Sequence, residues 1–122
     1  MQYALLYYNQ PLSQLPEAER GPRVAEMLAA MREWQQELER AGVFRSTLRL
    51  APTEAATSIR NESGKVLVTD GPFAETKEVL GGLAILDCAD LDEALRFARR
   101  CPLARIGTVE VRPEWNAFAP SS

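Results

Sequence analysis

The segment VLGGLAILDCA, Val79 to Ala89, is apolar at both alternating positions, and QYALLYY, Gln2 to Tyr8, is nearly so. In a strand, successive side chains point to opposite faces. A strand that is apolar on both faces is normally covered on both faces. Any fold for this chain must therefore supply two covers for one sheet.

The rest of the chain offers two helices. After a loop holding Pro11, Pro16, Gly21 and Pro22, with one helical turn expected after Ser13, a first helix is predicted with Pro22 in its first turn. Its apolar stripe is Val24, Met27, Leu28, Met31, Trp34, Leu38 and Ala41, and Gly42 ends it. A second helix starts at Asp90, with Glu93 three residues on completing a capping box. Leu91, Ala94, Leu95, Ala98 and Cys101 form its stripe, Arg96, Arg99 and Arg100 suit its C-terminal dipole, and Pro102 stops it.

Between and after the helices lie strand signals. VFRSTLRLA (Val43–Ala51) reads as a second strand. ATSIRN and KVLVTD flank ESG, a hairpin signal with glycine in the turn. The long apolar strand follows, with a kink expected at Gly81-Gly82. GTVEVRP (Gly107–Pro113) sets Val109 and Val111 against Thr108, Glu110 and Arg112. The order predicts an α+β fold, a ferredoxin-like βαββαβ plan with an inserted β-hairpin. Residues 1–113 form the domain and 114–122 a C-terminal tail, in which Trp115 and Phe118 are placed to dock.

Two helices cover one face of such a sheet. The simplest cover for the other is a second copy of the same sheet, so the sequence predicts a homodimer with sheets face to face. The chain has 122 residues and a net charge of -3 with both signs interspersed, which argues against nucleic acid or an anionic membrane as main partner. The N-terminus lacks a basic n-region and no apolar run reaches membrane length, so a cytoplasmic location is expected. Cys88 and Cys101 are read as free thiols. Histidine is absent. That removes the usual general base and metal ligand. No cofactor or metal is expected.

Chemistry is then left to carboxylates, lysine, arginine, tyrosine, cysteine or a ligand's own groups. The loop in VLVTDGPFAETKEVLGG gathers Asp70, Glu75 and Glu78 around a Gly-Pro turn. One reading is structural: Asp70 caps the turn through nearby amides, and Phe73 folds onto the core. The other is functional: carboxylates near an apolar cavity perturb one another, and one serves as general base. On that reading Asp70, Glu75 and Glu78 are the candidate catalytic carboxylates, one acting and another tuning it. Gly71, Pro72, Phe73, Lys77, Tyr8 and Arg45 are ligand-binding candidates, with Lys77 or an arginine as orienting cation.

The motif VTDGPFAETKEVLGG closely resembles the signature of the YCII-related family, in the branch named for Asp-Gly-Pro-Phe. YALLYY, GGLAILD, LDEALRFARRCP and GTVEVRP also resemble the family's segments, so the likeness runs from about Met1 to Pro113. It implies a ferredoxin-like dimeric α+β barrel with Asp70 as functional acid in a pocket binding a small molecule. A histidine–aspartate pair is suggested as catalytic in the wider family, and some relatives act on halogenated aromatic rings. Without histidine, that mechanism does not carry over. Genes of the branch also accompany extracytoplasmic-function sigma factors, which implies the alternative of a non-catalytic regulatory partner.

Overall fold

The computed structural model describes residues 1–11 and 14–116; Phe118 lies outside them. Strand β1 (Gln2–Asn9) is followed by helix α1 (Glu17–Arg40) and strand β2 (Phe44–Arg49). A hairpin of β3 (Thr57–Glu62) and β4 (Lys65–Asp70) comes next, then β5 (Val79–Asp87), helix α2 (Leu91–Ala98) and β6 (Thr108–Pro113). The main sheet has the order β2-β5-β1-β6, and all its pairs are antiparallel. This is the expected ferredoxin-like topology with a separate two-stranded sheet inserted.

Tyr3, Leu5 and Tyr7 of β1 and Ala84 and Leu86 of β5 are buried beneath the helices. Val109 and Val111 of β6 pack against the same core, and Trp34 and Leu38 of α1 meet Ala94 and Ala98 of α2 there. The Trp34 indole N–H donates to the Phe97 carbonyl at 3.0 Å, which ties the two helices together. The start of α2 is the predicted box: Glu93 N–H donates to Asp90 Oδ1 at 2.9 Å, and Glu93 Oε1 accepts from the Ala89 amide at 3.0 Å.

Three details differ from the sequence reading. Helix α1 begins at Glu17, so Pro22 lies inside it. Pro16 breaks the chain, Glu17 and Glu19 suit the first turn, and Arg20 Nε reaches back to the Leu15 carbonyl at 3.0 Å. Pro22 then leaves the Ala18 carbonyl without its usual donor. Ala41 and Leu91, placed on apolar stripes, are exposed because each sits at a helix terminus, beyond the partner element. Trp115 is exposed as well.

The hairpin turns through Ser63 and Gly64, both at positive φ (52° and 83°), the two-residue geometry that matches strand twist. The kink expected at Gly81-Gly82 is a β-bulge. Tyr7 opposes Gly82 while Tyr8 opposes Leu80, leaving Gly81 as the extra residue.

Among the described residues, no element covers the second face of the main sheet. Ala4, Leu6 and Tyr8 of β1 and Leu83 and Ile85 of β5 lie on it, half-buried. Leu48 of β2, opposite Leu83, is 56% exposed. Thr108, Glu110 and Arg112 give the β6 margin a polar rim.

Candidate functional site

Asp70 is the last residue of β4 and pairs with Thr57. Gly71 follows at φ +95°, a conformation that side chains rarely adopt. Its amide donates to the Ala56 carbonyl at 2.7 Å, and its carbonyl accepts from Ser58 Oγ at 2.7 Å. Backbone and Ser58 thus fix the turn. The Asp70 carboxylate, expected on the structural reading to cap it, makes no hydrogen bond or ion pair with a described residue. Phe73 does not fold onto the core but is 81% exposed. Together with Ser58, Ile59 and Arg60 it borders a hollow open to solvent. Pro72 is exposed beside it.

The other loop carboxylates are spread along the segment. Glu75 and Lys77 are exposed. Glu78 is half-buried at the entry to β5, where it accepts from Thr108 Oγ1 at 3.2 Å, and its carbonyl accepts from Thr76 Oγ1 at 2.5 Å. Among the described residues no three carboxylates or thiols converge as a metal site.

Tyr8 opposes Thr108 across the β1–β6 ladder. Tyr8, Thr108 and Glu78 therefore share one end of the uncovered sheet face. Thr108 was missed as a site residue. Its signal was the preceding glycine: a Cβ on Gly107 would stand 2.2 Å from the Tyr8 carbonyl oxygen, so only glycine lets β6 start against Tyr8. Arg45 lies at the opposite end, about 20 Å away at strand rise. There its guanidinium binds Asp87 at 3.3 Å and the Phe44 carbonyl at 3.0 Å. The hydrogen bond from the Met1 ammonium first, and Arg45 after it, hold the Asp87 carboxyl below its usual range. Arg112 pairs with Glu110.

The thiols stand apart from this chemistry. Cys88 and Cys101 are buried and free. Burial pushes the Cys101 thiol up to about 11, against an unfolded value of about 8.5. Burial, and then the Cys101 thiol beside it, pushes the Tyr7 phenol up as well. Both groups are neutral in the fold near pH 7. Their contribution is full below the unfolded pKa and is lost as pH rises through the folded one. We expect unfolding free energy to fall by about 3 kcal/mol between pH 8.5 and 11 on account of Cys101. Urea midpoints at pH 8 and 10.5 check this. Cys101→Ala should flatten the decline, and an equally steep decline in that variant would assign it elsewhere.

No helix among the described residues is long and apolar enough to cross a membrane. A family model for the YCII-related domain matches residues 1–116. An uncharacterised protein of Rhizobium meliloti is 44% identical over 116 residues, covering 93% of this chain and 91% of the relative.

Proposed function

We propose that this chain, which belongs to the YCII-related family, binds a small organic molecule beside the Asp70–Phe73 turn. Within the family, the Asp-Gly-Pro-Phe sequence supports placement in the branch of that name. The observation that carries the reading is the Asp70 carboxylate. It stands at a turn fixed by other groups, makes no bond with a described residue, and has an exposed aromatic ring three residues away. A free carboxylate beside an apolar surface suits a ligand with a flat apolar body and a donor group.

In this reading Asp70 accepts a proton from the bound molecule and Lys77 orients the substrate. The homodimer is part of the proposal. The open hollow at Phe73 does not enclose a ligand in a single chain, and the apolar sheet face near Tyr8, Thr108 and Glu78 lacks a cover. A second copy laid on that face supplies walls for both.

The test is a thermal-shift screen of metabolites and aromatic acids on wild type and Asp70→Asn in parallel. We expect at least one ligand to raise the wild-type midpoint and to lose at least tenfold in affinity with the folded variant. A library without hits, or ligands that bind the variant equally well, removes Asp70 from the site. Co-purification of a sigma factor would then favour the partner-protein role.

A further inference from the structure

The β3–β4 hairpin carries apolar residues where none are covered. It forms a sheet of its own, and every residue except Ser58 is exposed. Among the described residues no other element makes more than slight contact with it. An isolated two-stranded hairpin is marginal in water. Ile59 opposes Val68, and Val66 follows two residues away on the same face. The three are 70%, 64% and 68% exposed in that order. Such a strip on open strands is a template for contact with another chain.

We propose that this hairpin is an arm that lies against a second copy of the chain. Its Ile59–Val66–Val68 face makes the contact, and the Asp70–Phe73 turn at its root is held in its working position only in the dimer. This rests on the homodimer reading above.

The area of the apolar surfaces points to a second copy as the occupant. Four strands about 4.8 Å apart and about 20 Å long give the open sheet face a footprint of about 400 Å². A standard interface buries about 800 Å² per partner. The sheet face alone falls short. The hairpin face, two strands of six residues, adds about 200 Å² and brings the total to about 600 Å², nearer that size, and Phe73 extends it. Both apolar surfaces belong to one chain, so in a twofold contact each partner contributes both. Arg60, Glu62 and Lys65 mix both signs near the tip, which suits no strongly charged partner.

The test combines sedimentation equilibrium with amide hydrogen exchange on wild type and on Ile59→Thr/Val66→Thr/Val68→Thr. Threonine keeps the branched shape that strands favour and removes apolar surface. We expect a wild-type dimer whose hairpin amides are protected and become free on dilution to monomer. In the triple variant the dimer should dissociate at least tenfold more readily with unchanged circular dichroism. Unchanged dimer affinity in that variant overturns the arm and leaves the face-to-face dimer standing. A wild type that is monomeric at every concentration overturns both.

Discussion

Replacing Trp34 by alanine is expected to lower the unfolding free energy by about 4 kcal/mol, the range for removing a large aromatic from a packed core. Trp34 is 5% exposed and sits where α1, α2 and β1 meet. Its ring makes an edge-to-face contact with Tyr7, centroids 6.4 Å apart at 71°. Its N–H is the bond that joins α1 to the last turn of α2. Alanine removes the volume, the ring contact and the bond together. Trp34→Phe keeps most of the volume and loses the donor, so a smaller loss of about 1–2 kcal/mol is expected. The Phe97 carbonyl keeps a partner in the Arg100 amide, which limits that cost. Urea unfolding of both variants measures the two effects. If Trp34→Ala fell within 1 kcal/mol of wild type, the idea that this indole locks the helices onto the sheet would be wrong.

Trp34 was legible in the sequence because a seven-position apolar stripe at helical spacing has few other uses. The same holds for Asp90 and Glu93, whose partners lie within one turn, and for the ESG turn, where positive φ selects the residues. Local rules decide these features. The start of α1 was not legible, since Gly21-Pro22 punctuates the sequence as strongly as Pro16 does. The acidic first turn and the Arg20 bond back to the Leu15 carbonyl settled it at Glu17. The site was legible only in part. The sequence places Asp70 in a turn but does not reveal that Ser58 and Ala56 hold Gly71 there, because those partners lie 13 and 15 positions back. Arg45 and Tyr8 were both candidates for one ligand site. Register puts them at opposite ends of the sheet, and register is a property of pairing, not of either strand alone. Thr108 read as one polar position in an alternation. Its contact with Glu78 needs β6 and the entry to β5 brought together across β1.

The uncovered sheet face carries the other large expectation. Leu83→Glu should turn the proposed dimer into a monomer, weakening association by at least a thousandfold. Leu83 lies between Leu6 of β1 and Leu48 of β2, near the middle of the apolar surface. In the single chain that face is open, so the new carboxylate stays hydrated and the fold is retained. In a face-to-face dimer the twofold would bring two such carboxylates into one dry layer, and an unpaired buried charge costs several kcal/mol. The difference between the two states is what the experiment reads. Sedimentation velocity of wild type and Leu83→Glu at matched concentration gives the association state, and circular dichroism shows whether the variant is folded. A folded variant that sediments as wild type does would mean this face is not the interface. The apolar parity of β5, which first demanded two covers, would then need a different second layer.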